Sequence, residues 1–173
     1  LGLTLEQGLQ DRPRPQEALD WYRRSADAGF ALAQFKLGVL YQTGAIVERD
    51  LAQARFWYEK AAVQGMATAQ YNLAVLLDTG GGGPVDQEQA ADWYLKAASS
   101  GVAEAYLNLG NLYARGAGVP ADAIEALKWL ILADDAGIEA AAGLRESVAG
   151  VLSEEERARA KAAAEAWKTA HPR

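Results

Sequence analysis

The sequence predicts an all-α fold, a solenoid of 36-residue helix-turn-helix repeats, and three observations predict it. The first is a spacing: Trp21, Trp57, Trp93 and Trp129 stand 36 residues apart. The second is that other residues keep the same step. Ala lies three positions before each Trp (Ala18, Ala54, Ala90, Ala126), Gly eight after it (Gly29, Gly65, Gly101, Gly137) and Ala twelve after it (Ala33, Ala69, Ala105, Ala141). Leu37, Leu73 and Leu109 repeat likewise, as do Gly44, Gly80 and Gly116, and Asp50, Asp86 and Asp122. A period of roughly 20–50 residues marks stacked supersecondary units, each burying its apolar face against its neighbours. The third is composition: 37 of the 173 residues are Ala and only 9% are aromatic. Ala is the best helix former and lets helices approach closely, which suits thin helical pairs.

Taken in order, the chain reads as one repeat domain over 1–173. Leu1-Gly2 aligns with Leu37-Gly38 and Gly8 with Gly44, so 1–30 is a partial leading repeat that begins inside a helix, as if cut from a longer array. In the repeat 31–66, Ala33, Leu37, Leu40 and Tyr41 recur at helical steps. Gly44 ends that helix. Asp50 then caps the next one, whose stripe is Ala54, Trp57, Tyr58 and Ala61, and Gly65 closes it. The repeats 67–102 and 103–138 follow the same plan. Asp50 with Gln53, Asp86 with Gln89 and Asp122 with Glu125 read as capping boxes. The four Trp residues lie on apolar stripes and are expected in the core. Gly38 and Gly110 sit in mid-helix, where Gly costs ~1 kcal/mol relative to Ala, so a bulky neighbour, a Trp or Tyr of the adjoining helix, is expected against each. Beyond 138 the pattern decays, with Arg145 and Glu146 in place of Leu-Gly. Ser153 with Glu156 opens an Ala-rich helix reaching Trp167, so 139–173 reads as C-terminal capping helices.

Charge and chemistry narrow the function. The net charge is −6, with 23 acidic and 17 basic residues intermixed. No basic stripe is present to displace counterions from phosphate, so no nucleic-acid partner is expected. No basic amphipathic helix and no run of ~20 apolar residues argue for membrane insertion. Without Cys there are neither disulfides nor thiolate metal sites. Gly80–Gly83 before Pro84 lacks the Lys-Ser/Thr and preceding strand of a phosphate loop and reads as an inter-helix turn. His171, the only His, lies near the end in an expected frayed tail, so no Ser-His-Asp or Cys-His arrangement assembles. Asp134-Asp135 are neighbours on a helix and point to different faces, which disfavours a metal site. No cofactor and no catalytic residue are expected, and a hydrolytic enzyme acting on cell-wall material finds no nucleophile–base pair.

The repeated residues resemble the Sel1-like repeat family, a relative of the tetratricopeptide repeats. The family pattern of Ala, Leu-Gly and Tyr, then Gly, a Gly-Val loop, Asp, and Ala-x-x-Trp-Tyr-x-x-Ala-Ala-x-x-Gly is met most fully in AEAYLNLGNLYARGAGVPADAIEALKWLILADDAG, residues 103–137, departing at Leu130 and Asp134. The resemblance covers 1–138 well and 139–173 loosely. It implies a right-handed α/α superhelix used for protein–protein contacts, often as an adaptor in signalling, export or envelope assembly. It also implies a bacterial origin, with a lean to the periplasm. In the related tetratricopeptide repeats, the helix carrying Leu-Gly-x-x-Tyr lines the concave groove. Carried over by position, the groove presents Phe35, Lys36, Val39 and Gln42, then Tyr71, Asn72, Val75 and Asp78, then Leu107, Asn108, Asn111 and Arg115. Asn72 and Asn108 share a register and offer amide donors and acceptors to a peptide backbone, whereas Lys36 departs from it. The expected function is a non-catalytic module holding a protein or peptide partner in this groove. The alternative is a spacer or oligomerisation segment of a longer protein, self-associating through its N-terminal half-repeat.

Overall fold

The computed structural model describes residues 15–172. Among the described residues there are nine α-helices and no strand, so the fold is an all-α helical repeat of the solenoid class. The chain divides into two compact units, residues 1–85 and 86–173. The readings of Leu1-Gly2 and Gly8 lie outside the described residues.

The first unit holds α1 (Pro15–Asp27), α2 (Ala31–Thr43), α3 (Leu51–Val63) and α4 (Ala67–Thr79), each packed on the next. Pro15 opens α1, where its missing N–H costs nothing. The core is the repeated set: Ala18, Leu37, Ala54, Tyr58, Ala61 and Leu73 are all buried. Gln34 Nε2 donates to the Ala26 carbonyl at 3.1 Å and Gln70 Nε2 to the Ala62 carbonyl at 3.3 Å, so each tethers its helix to the end of the preceding one. Asp50 caps α3, its carboxylate accepting from the Ala52 and Gln53 amides, a bond set worth ~1 kcal/mol. The capping box is only half formed, however. The Asp50 amide donates to the Tyr41 carbonyl at 2.9 Å, across the loop, rather than to Gln53.

Gly38 meets its expected neighbour: a Cβ there would lie 2.5 Å from the Tyr58 ring. A second glycine makes an approach that the sequence did not announce. Gly82, in the loop after α4, has φ +78°, and a Cβ on it would overlap the Leu51 carbonyl at the start of α3. Only a residue without a side chain, tolerant of positive φ, fits there.

The second unit holds α5 (Gln87–Ser99), α6 (Glu104–Arg115), α7 (Ala123–Asp135), α8 (Ala141–Gly150) and α9 (Glu154–Ala170). The loop contact recurs: Gly118, φ +72°, presses on the Gln87 backbone at the start of α5. Asp86 and Asp122 cap α5 and α7. The Asp122 amide again crosses the loop, to the Tyr113 carbonyl. Of the four predicted boxes, only Ser153 with Glu156 is fully reciprocal, at the start of α9. Against Gly110 the bulky neighbour is Leu130, not an aromatic, with a built Cβ 2.7 Å from its Cγ. Helix α7 packs against α6, α8 and α9.

The expectation that the repeated Trp residues are core is corrected. Trp21 is 41% exposed, Trp57 and Trp93 are half-buried, and only Trp129 is fully inside. The residue one step later carries the core instead: Tyr22, Tyr58, Tyr94 and Leu130 are all buried. A single 100° step turns the Trp to the flank of its helix, where a cation meets three of the four. Arg24 lies over Trp21, Lys96 over Trp93 and Lys128 over Trp129, a geometry worth ~0.5–1 kcal/mol at exposed sites. His171 is likewise not frayed: its ring stacks on Trp167 at 3.9 Å.

Candidate partner-binding face

The first helix of each hairpin positions the residues expected to meet a partner. In the first unit these are Phe35, Lys36, Val39 and Gln42 on α2 and Tyr71, Asn72, Val75 and Asp78 on α4, every one half-buried. Such side chains have one edge held by the fold and one in solvent.

What holds three of them is Tyr58 of α3, a residue whose place on the apolar stripe marks it simply as core. Its side chain is fully buried. Its hydroxyl donates to Gln42 Oε1 at 2.5 Å. Phe35 packs on its ring with centroids 5.7 Å apart. Burial pushes the Tyr58 hydroxyl up to about 12, and the hydrogen bond with Asn72 pulls it partly back. One buried phenol therefore joins α2, α3 and α4, and fixes three of the eight predicted residues. Gln42 and Asn72 consequently spend part of their bonding capacity inside the fold. A signal for this was present in the sequence. Where Tyr58 becomes Leu130, two repeats on, Gln42 becomes Ala114 at the same step, so the donor and its acceptor disappear together.

In the second unit, Leu107, Asn108, Asn111 and Arg115 share one side of α6. The Asn111 amide donates back to the Leu107 carbonyl at 3.1 Å, and Arg115 Nε donates to the Asn111 carbonyl at 3.3 Å. Asn108 is half-buried, and Arg115 is the most open of the four. In the first unit the face is thus mixed, apolar at Val39 and Val75, with Lys36 as a cation and Asp78 as an anion; in the second, α6 sets Leu107 beside two amides and the Arg115 cation.

The first unit also has a shallow cleft of about 830 Å³, elsewhere, at the loop end of the hairpins, lined by Leu19, Arg23, Tyr41, Ile46 and Arg49 among others. It includes none of the predicted residues. Asp134 and Asp135 do point apart, and each finds a cation: Arg145 at 2.9 Å and Lys168 at 2.5 Å. No group of three or more His, Cys, Asp or Glu able to hold a metal occurs among the described residues. No described helix is long and apolar enough to cross a membrane.

The Sel1 repeat family model matches residues 1–30, 31–66, 67–102 and 103–137. Among solved structures, the chain is similar to a Sel1 repeat protein from Oxalobacter formigenes, at 30% identity and a TM-score of 0.80, over 97% of this chain and 66% of that one. It is also similar to a protective antigen of uropathogenic Escherichia coli strains that displays an SLR fold, at 30% identity and a TM-score of 0.58, over 99% of this chain and 44% of that one. The chain therefore spans about two thirds of the first relative and under half of the second. Both are bacterial, which points to a bacterial origin here. No curated protein matches the sequence significantly.

Proposed function

Because this chain belongs to the Sel1 repeat family, whose members are generally protein–protein interaction modules, we propose that it is a non-catalytic adaptor holding an extended segment of a partner protein along the first helices of its hairpins. The observation that carries this reading is the half-buried, internally braced face of α2 and α4. Side chains already ordered by Tyr58 lose little freedom when a ligand arrives, so the ordering cost of binding falls. Alternating apolar and amide groups suit a peptide, whose backbone needs hydrogen-bond partners and whose side chains need apolar seats. In the second unit, α6 adds Asn108 and Arg115 to the same reading. The Sel1 repeat fold is a scaffold type, and the reading assigns no bond-making role to any residue.

The test is a comparison of capture from source-cell extract by the chain and by a Lys36→Glu/Val75→Arg variant, with both shown to be equally helical by circular dichroism. We expect a protein retained by the first and lost at least tenfold by the second. Equal retention would move the binding surface off this face.

A further inference from the structure

Helix α9 is held to its unit along one line. It packs on α7 and hardly touches α8, the helix that leads into it. The side chains it buries completely are only Ala160 and Ala164, whereas α7 faces it with Leu127, Trp129 and Leu132, each 2–3% exposed. This thin contact leaves space at both ends. A cleft of about 330 Å³ lies beside Leu132, Trp167 and His171, and one of about 580 Å³ beside Leu127, Ile131, Ala149 and Ala158. The joint is permissive as well. Val151 already has helical dihedrals (φ −94°, ψ −7°) and is 78% exposed, while Ser153 is extended (φ −64°, ψ 166°). No Pro or Gly lies between 151 and 153. Turning Leu152 and Ser153 helical would join α8 and α9 into one continuous helix.

We propose that α9 exchanges between two copies of this chain, each covering the outer face of the other's α7. A second copy is the occupant because α9 itself demonstrates the fit. The Trp167–Trp129 edge contact at 4.7 Å and the Lys168–Asp135 ion pair re-form unchanged between chains, and swapping an identical element needs no new complementarity. This inference does not rest on the partner-binding face of α2, α4 and α6.

The test measures molecular mass by light scattering from micromolar to millimolar chain. The parent is expected to shift towards twice its mass as concentration rises. Gly150→Ala/Ser153→Ala removes a helix-weakening Gly and the cap that breaks the helix, so its dimerisation should tighten on the order of tenfold. Glu154→Pro places Pro at the first position of α9, after a residue already extended as Pro requires, and forbids the continuous helix. That variant should stay monomeric at every concentration. A helical Gly150→Ala/Ser153→Ala variant that remains monomeric throughout, or a Glu154→Pro variant that dimerises like the parent, overturns the proposal.

Discussion

Helices α3 and α7 occupy the same place in their repeats and share the same inner face, yet their outer faces have opposite character. Inside, Ala54 and Ala61 of α3 correspond to Ala126 and Ala133 of α7, all buried. Outside, Arg55, Glu59 and Lys60 of α3 correspond to Leu127, Ile131 and Leu132 of α7. The α3 residues meet solvent to varying degrees, and Phe56 and Val63 beside them are 46% and 70% exposed. On α7 the outer face lies under α9. The lesson is that the repeat code specifies how a hairpin stacks, while the residues outside that code record whether another element covers it.

Trp129 and Trp21 break the comparison most sharply. They share a register, but only Trp129 is enclosed, between Tyr106 and Trp167. Trp129→Ala should cost about 3–5 kcal/mol, the range for a buried Trp, while Trp21→Ala should cost under about 1 kcal/mol. Urea unfolding of the two variants measures both, and equal costs would mean that α9 does not shield α7.

A charge swap sharpens it further. Leu132→Lys gives α7 the outer residue of α3 and buries an unpaired ammonium, so α9 should detach at a cost of about 2–4 kcal/mol. Limited proteolysis should then cut between 151 and 153. Lys60→Leu on α3 should change stability by no more than about 0.5 kcal/mol, because Lys60 is exposed and meets only the exposed Phe56 ring.

A more modest loss than those at Trp129 and Leu132 concerns the phenol that α7 lacks. Tyr58→Phe removes a buried hydrogen-bonding group and leaves Gln42 without its donor, at about 1–2 kcal/mol. Adding Gln42→Leu should recover part of that, as the Leu130–Ala114 combination does without either polar group. The pH dependence follows from the raised Tyr58 hydroxyl. Its folded value of about 12 exceeds the ordinary 10.0, so between these values the folded state holds a proton that the unfolded state has lost. Its stabilising share is full below pH 10.0 and is lost as pH climbs towards 12. Thermal melts across that window should fall more steeply for the parent than for Tyr58→Phe.

The fold was legible because the residues that stack hairpins must recur at every repeat: the Ala positions, the Leu of the first helix and the capping Asp. The candidate face was legible only in outline. Its positions follow from register, but their chemistry varies from Phe35 to Tyr71 to Leu107, and nothing in spacing reveals that Gln42 and Asn72 are tied to Tyr58. The Trp residues misled because two adjacent apolar residues share a stripe, and only the packed neighbours decide which one turns inward. The course of α9 was hidden in its own sequence, since Ala-rich helices carry a weak stripe. Its mark was on α7, in the three aliphatic residues that stand where α3 is charged.

Gly82 and Gly118 bear on where this architecture can grow. Connecting loops are ordinarily the segments that accept extra residues, but here each loop is wedged against the backbone of the preceding repeat's second helix. One added residue before either glycine would lift the wedge and replace it with a side chain that cannot enter. The other turns, at Gly29, Gly65, Gly101 and Gly137, face open space. Length variation, epitope tags and grafted recognition segments therefore belong at those turns, and not in the two loops that Gly82 and Gly118 seat.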